Sequence, residues 1–182
     1  MPQLGESCTL LEAREAGVIF AQGRLSDTAT VVAPRLADTP GDALRLDMFR
    51  GSPPGTGVSV RGYDRNAQED AREIALQPGA RIAIGSNEPD DRAYRVVYEV
   101  PRRPAGKVTL SFASIGEDGR TIDITQEMAH AAEKGWREMT ITDACAGDLE
   151  GRGLMFASAA AFTIRIAEVT RVEVAEGTQC SF

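Results

Sequence analysis

The sequence predicts an all-β domain, a sandwich or a barrel, carrying one or two short helices. Short runs of alternating apolar and polar residues recur along the chain, and clusters of turn-forming residues separate them. Of the 182 residues, 42% are hydrophobic, which is an ordinary globular composition. This length suits one domain with a substantial core, so we expect a single domain over residues 1–182.

Strand-like runs occupy most of the chain. They are CTLLEAR (8–14), GVIFAQG (17–23), TATVVA (28–33), ALRLDMF (43–49), TGVSVRGY (56–63), REIAL (72–76), ARIAIGS (80–86), YRVVYEV (94–100), KVTLSFAS (107–114) and FTIRIAEV (162–169). In the fourth run, Leu44, Leu46 and Met48 are expected to share one face. A period of two with one polar face is typical of strands buried on one side. The Pro/Gly stretch 51–57 is either a hairpin loop or a hinge before the main sandwich.

One segment, TIDITQEMAHAAEKGW (121–136), predicts a helix of about ten residues. Thr125 is placed as its N-cap, and Lys134 with Gly135 would supply its C-terminal stop. A helix this short needs support from the sandwich. The segment DACAGDL (143–149) is expected to add a short turn.

Charge and hydropathy exclude several classes of partner. A formal net charge of −7 argues against nucleic acid or an anionic membrane as the main partner. The apolar runs are short and interrupted by charges, so we expect no transmembrane span. The N-terminus, MPQLGESC, lacks the basic and apolar regions of a signal peptide. The chain is therefore expected to be either cytoplasmic or a piece of a larger exported protein.

The cysteines do not predict a metal site. Cys8, Cys145 and Cys180 lack CxxC spacing, and His130 is the single histidine that could join them. One disulfide fits this count, and Cys8 would pair with Cys180 if the termini lie together. Oxygen-rich turns also suit a structural calcium ion, although no loop has the DxDxDG pattern. We expect no other cofactor.

The sequence shows no recognisable active site. His130 lies inside the predicted helix, and no GxSxG motif supplies a nucleophile for it. No glycine-rich phosphate loop follows a strand. Two acidic pairs, Asp64 with Asp70 and Asp90 with Asp91, have the residue type that glycoside hydrolysis needs. Nothing in the sequence places either pair across a cleft, and we interpret most acids as solvated turn residues.

Aromatic residues, which stack on sugar rings, are scarce at 5% of the chain. Trp136 follows the predicted helix and is expected to pack it onto the sheet. Tyr94 and Tyr98 are four residues apart in one strand, so both should face the core. Tyr63 ends a strand beside a polar loop, which makes it the best stacking candidate.

Five segments resemble one family, in the right order. They are DRNAQEDAREIAL (64–76), YRVVYEVPRRPAGKVTLSF (94–112), TIDIT (121–125), GWREMTITDACAGDLEG (135–151) and LMFASAAAFTIRIAEVTRV (154–172). Together they look like the C-terminal domain of bacterial family 3 glycoside hydrolases of the β-glucosidase and exo-1,3/1,4-β-glucanase type. The likeness covers residues 56–172, with strands and a linker over 1–55 before them. The strand before Cys145 departs from the family pattern because it is more polar.

The resemblance implies a galactose-binding-like jelly-roll β-sandwich without catalytic residues of its own. In such enzymes this module follows the domains that hold the nucleophile and the acid. The implied partners are therefore those catalytic domains, and also a β-glucan oligosaccharide, with a periplasmic or secreted location. For a carbohydrate site we predict Tyr63 as the stacking ring and Asp64, Gln68 and Asp70 as hydrogen-bonding groups, since they lie at a strand end and its following loop.

Two other functions stay open at this point. A stand-alone β-sandwich could serve protein interaction or oligomerisation without sugar binding, and an exposed apolar patch would favour it. An independent hydrolase with an unrecognised carboxylate site would turn over aryl β-glucosides. We expect no such turnover.

Overall fold

The computed structural model describes residues 17–36, 43–86, 93–113, 120–147 and 153–182. The described residues form thirteen strands and two short helices. The strands are β1 (Val18–Ala21), β2 (Arg24–Leu25), β3 (Ala29–Pro34), β4 (Ala43–Arg45), β5 (Val58–Tyr63), β6 (Ala71–Leu76), β7 (Arg81–Ser86), β8 (Ala93–Glu99), β9 (Val108–Ala113), β10 (Thr121–Asp123), β11 (Arg137–Thr142), β12 (Gly153–Ser158) and β13 (Phe162–Val172). The helices are α1 (Thr125–Ala131) and α2 (Asp143–Ala146). The predicted strand 8–14 lies outside the described residues.

The strands form two antiparallel sheets. Sheet A runs β11-β8-β13-β1-β2, with β6 also pairing with β13 and β5 pairing with β6. Sheet B runs β10-β9-β12-β7-β3-β4. The first half of the long strand β13 pairs with β6 and its second half with β1, on either side of a bulge between Ile166 and Glu168. Strands β1 to β4 precede the Pro/Gly stretch 51–57 and pair within these same two sheets, with β1 on β13 and β3 on β7.

The core lies between the sheets and follows the predicted alternation. In β13, Phe162, Ile164 and Ile166 are buried. Tyr94 and Tyr98 of β8 are also fully buried, as their spacing predicted. Residues between these positions, such as Arg165, lie on the face of sheet A that points away from the core, which we call the outer face. The outer face therefore carries the polar residues of sheet A.

One strand prediction needs correction. β4 ends at Arg45, and the next residues turn, with the Phe49 N–H donating to the Leu46 carbonyl at 3.0 Å. Leu46 is buried whereas Met48 is 74% exposed, so these two do not share a face. Phe49 has φ 48° and packs edge-on against Phe20 in the core. The turn breaks the period of two because burying Phe49 redirects the chain.

Helix α1 forms where predicted but with a different cap. Its N-cap is Ile124, not Thr125, and it ends at Ala131, before the expected stop at Lys134 and Gly135. The Thr125 hydroxyl instead contacts Asp123 at 2.5 Å and accepts the Val108 N–H at 2.9 Å. Thr125 thus ties the start of the helix to β9 rather than capping it.

The disulfide joins Cys145 and Cys180, whose Cα atoms are 6.0 Å apart. The predicted Cys8–Cys180 pairing is therefore corrected, and Cys8 itself lies outside the described residues. α2 presents Cys145 toward the C-terminal segment, where Thr140 and Ser181 exchange two backbone hydrogen bonds of 2.8 and 2.9 Å. The sequence alone could not show that β11 and α2 lie beside the C-terminal segment that carries Cys180.

Candidate functional site

Tyr63 lies at the end of β5 on the outer face of sheet A. Its ring is half-buried, and the ring centroid is 6.4 Å from that of Trp136 with an interplanar angle of 48°. The Arg165 guanidinium carbon lies 4.0 Å from the Tyr63 centroid, a cation–π contact. The Arg65 guanidinium carbon lies 4.9 Å from the Trp136 ring centroid, which is a second cation–π contact. Two aromatic rings and two guanidinium groups thus form one cluster at this strand end.

Trp136 is the residue whose role the sequence missed. It is half-buried and stands against Tyr63 and Arg65, contacts that the predicted packing of α1 onto the sheet did not include. Trp136 precedes β11 and Tyr63 ends β5, two strands that lie at different places in sheet A. Their contact depends on strand order, which a period-two pattern does not contain. The one signal available was a tryptophan at a strand boundary, outside the alternating run.

The loop after Tyr63 is built on two of the predicted carboxylates. Asp70 accepts the backbone N–H groups of Arg65, Asn66 and Ala67 at 2.7, 3.0 and 3.2 Å. Burial by itself raises the pKa of Asp70, but these three hydrogen bonds outweigh it and hold the pKa below its ordinary value. Asp64 accepts the Glu69 N–H at 2.6 Å. These bonds fix the loop conformation, and they engage Asp70 on both of its oxygens.

Three of the four predicted site residues meet at one depression. Tyr63, Asp64 and Gln68 line it together with Gly62 and Glu69, and its volume is about 450 Å³. The structure brings these three side chains together, while Asp70 supports the loop from within. Their role in carbohydrate binding stays a prediction.

A row of ion pairs crosses the outer face beside this cluster. Glu73 of β6 accepts Arg61 Nε at 2.8 Å and Arg165 Nε at 2.8 Å, and Arg165 Nη1 donates to Glu99 at 3.0 Å. The four residues come from β5, β6, β13 and β8, which are neighbours in the sheet. We call Arg61, Glu73, Arg165 and Glu99 the charged row. The sequence analysis did not identify it, because the partners lie up to 92 residues apart.

The charged row stabilises the ionised form of Glu73. Burial by itself raises the pKa of Glu73, but the hydrogen bonds from Arg165 and Arg61 outweigh it and lower the pKa below its usual range. The contribution of the charged row to stability is therefore fully present above the pKa that Glu73 has in the unfolded chain. It is lost as the pH falls through the lower pKa that Glu73 has in the folded chain.

We expect Glu73→Gln to weaken the acid dependence of folding. The free energy of unfolding, measured with urea at pH 7 and at pH 3, should fall less in Glu73→Gln than in the parent chain, because the titrating carboxylate is gone. Glu138→Gln is the matched control, since Glu138 is 54% exposed and 3.9 Å from Arg95. Equal losses in the parent and in Glu73→Gln would contradict the assignment.

The described residues do not assemble a metal site. No group of three or more His, Cys, Asp or Glu side chains comes together among them. The Asp90–Asp91 pair lies outside the described residues, and a structural calcium ion at a sandwich edge stays a prediction. His130 lies in the last turn of α1, as expected. Both described helices fall far short of a membrane-crossing length, with 7 and 4 residues.

Two antiparallel sheets around one core, with a polar outer face on sheet A, define a β-sandwich. Residues 47–176 match the Exop_C family, described as galactose-binding domain-like. This match spans most of the chain, and the chain belongs to that family. The predicted resemblance and the predicted fold class are both confirmed.

Solved structures share this fold at low sequence identity. The exo-1,3/1,4-β-glucanase ExoP from a Pseudoalteromonas species superposes with a TM-score of 0.68 and 16% identity, over 89% of this chain and 21% of that one. The extra C-terminal domain of the same enzyme gives a TM-score of 0.67 and 16% identity, over 90% of this chain and 96% of that one. The chain thus spans about a fifth of the full glucanase and nearly all of its extra domain. Comparison with curated protein sequences returns no match.

Proposed function

We propose that this chain is a non-catalytic accessory domain of a β-glucan-degrading enzyme, and that it contacts glucan at the Tyr63 depression. The observation that carries the sugar contact is the half-buried Tyr63 ring beside Asp64 and Gln68 on a shared depression. An aromatic ring with a few convergent polar groups is the arrangement that recognises small ligands. Family membership supports the accessory role, because the related extra domain belongs to an exo-1,3/1,4-β-glucanase.

The proposed partners are the catalytic domains of the same enzyme, and the proposed location is periplasmic or secreted. The Cys145–Cys180 disulfide supports export, since disulfides persist in oxidising compartments and are rare in the cytosol. We expect the isolated chain to show no turnover of aryl β-glucosides.

Titration of the ¹⁵N-labelled chain with β-linked gluco-oligosaccharides tests the sugar contact. We expect amide shifts at residues 62–69 at millimolar ligand, because the depression is shallow and polar. Tyr63→Ala should abolish those shifts. In the parent chain the amide signal of Tyr94, which is buried in the core, should not move on addition of ligand. Absence of any shift with cello-, laminari- and mixed-linkage oligosaccharides would leave only the accessory role.

One feature favours the alternative of a protein-interaction or oligomerisation module. A groove of about 670 Å³ has a mixed lining of apolar residues and two arginines, Arg102 and Arg103, and its Leu36 side chain is 41% exposed. If this surface mediates self-association, sedimentation of the isolated chain will show a concentration-dependent dimer. Leu36→Glu would then restore the monomer.

A further inference from the structure

We infer that the charged row forms the floor of an extended subsite, continuous with the Tyr63 depression, that takes a neutral β-linked glucan chain lying across the strands. This inference rests on the proposed function and assigns it a longer binding surface. The groove over the row has a volume of about 590 Å³, and its charged lining consists of Arg61, Glu73, Glu99, Arg102, Glu133 and Arg165. Tyr63 connects the two surfaces, because its ring lines the depression and also contacts Arg165.

The dimensions fit an oligosaccharide rather than a single sugar. The row runs from β5 to β8 across three strand spacings, which is roughly 14 Å. That span exceeds one pyranose ring, and the Tyr63 depression adjoins the Arg61 end of the row, two residues further along β5. A glucan bound along the row would therefore place successive glucose units over Glu99, Arg165 and Arg61 in turn.

The row has hydrogen-bonding capacity left for hydroxyl groups. A guanidinium carries five N–H donors, and the ion pairs of the row use two from Arg165 and two from Arg61. Glu99 accepts through Oε2, and its side chain is 20% exposed. Sugar hydroxyls both donate and accept, so one ligand can use both kinds of group. The ion pairs hold the side chains in place beforehand, which reduces the entropy lost on binding.

The charge balance selects for a neutral polymer. Three arginines and three glutamates line the groove, so their formal charges cancel. A uronate chain would have to approach Glu73, Glu99 and Glu133 without a surplus of cations to attract it. The Arg165 guanidinium also lies against the Tyr63 ring, so hydrogen bonding along the row must supply much of the affinity. A neutral polysaccharide meets these conditions, and the choice of a β-glucan among such polymers follows from the proposed function.

The test compares three variants of the full 182-residue chain by NMR titration and calorimetry. We expect amide shifts on both the 62–69 loop and the charged row, and an affinity that rises with oligosaccharide length until both are covered. Arg165→Gln and Glu99→Gln should each weaken binding of a cello- or laminari-hexaose about 10-fold or more, because each removes a hydrogen bond to a charged group. Glu138→Gln, on β11 and outside the lining of the groove, should bind as the parent does.

Each outcome decides a separate point. Shifts confined to the 62–69 loop, with unchanged affinity in both row variants, would overturn this inference and leave the Tyr63 site intact. No shift anywhere would remove both sugar proposals. Tighter binding of oligogalacturonate, weakening steeply with salt, would overturn the neutral class. Glu99→Gln keeps the test decisive if Arg165→Gln unfolds, since Glu99 pairs with Arg165 alone among its described hydrogen bonds. Sugar-independent hydrogen-exchange protection of the row in a longer enzyme chain would assign it to a protein contact instead.

Discussion

Replacing Arg72 with methionine is expected to lower the free energy of unfolding by about 3 kcal/mol or more. Arg72 is only 6% exposed and lies at the edge of the core, 5.3 Å from the Phe20 ring centroid. It donates to the carbonyl oxygens of Phe49, Glu69, Ala71 and Gly23 at 2.9 to 3.0 Å. Methionine keeps the apolar stem but leaves these carbonyls without their donor, and the bonds to Phe49 and Ala71 are buried.

The same substitution should loosen the loop that carries the Tyr63 depression. Arg72 holds the Glu69 carbonyl, and Glu69 belongs to the loop wall. We expect the 64–70 amide signals to broaden or shift in Arg72→Met, together with the loss of stability in urea unfolding. Arg45→Met is the matched control, because Arg45 is 61% exposed and pairs only at the surface, so its effect should stay within about 0.5 kcal/mol. A change no larger than the control's would show that the four hydrogen bonds contribute little.

Local alternation predicts the strands of this fold well, and it fails where a long-range contact redirects the chain. β13 and β8 have the predicted buried faces because each residue's face depends only on the pleat. The run 43–49 has the same alternation, yet it turns after Arg45 because Phe49 enters the core beside Phe20. Thr125 has the residue type of an N-cap, but its hydroxyl bonds to β9 instead. In both cases the deciding partner lies far away in the sequence.

The same distinction between local and long-range contacts applies to the candidate site. Tyr63, Asp64 and Gln68 could be found because a strand end and its following loop are contiguous in sequence. Trp136 and Arg165 could not, since Trp136 reaches Tyr63 from the position before β11 and Arg165 from β13. Their positions depend on strand order, which a single sequence does not encode locally. Outward-facing charges in strands are a usable signal only once the neighbouring strands are known.

The disulfide gives the second large effect. Reduction, or Cys145→Ala, is expected to lower the free energy of unfolding by about 4 kcal/mol, from the chain entropy of a loop closed over 35 residues. The crosslink holds the C-terminal segment against β11, where the Thr142 hydroxyl donates to the Thr178 carbonyl at 2.6 Å. β11 is an end strand of sheet A, and the segment covers its outer edge through the Thr140–Ser181 pair.

Loss of the crosslink should therefore change more than stability. We expect faster amide exchange at Thr140 and Ser181 in the reduced chain, and slow self-association as the edge of β11 becomes available for pairing. Urea unfolding with and without a thiol reductant measures the first effect, and sedimentation over days measures the second. Cys8→Ala serves as the control and should respond to reductant as the parent does, because Cys145 and Cys180 remain paired. If Cys8→Ala instead became insensitive to reductant, the crosslink would involve Cys8, and the export argument would rest on a different pair of thiols.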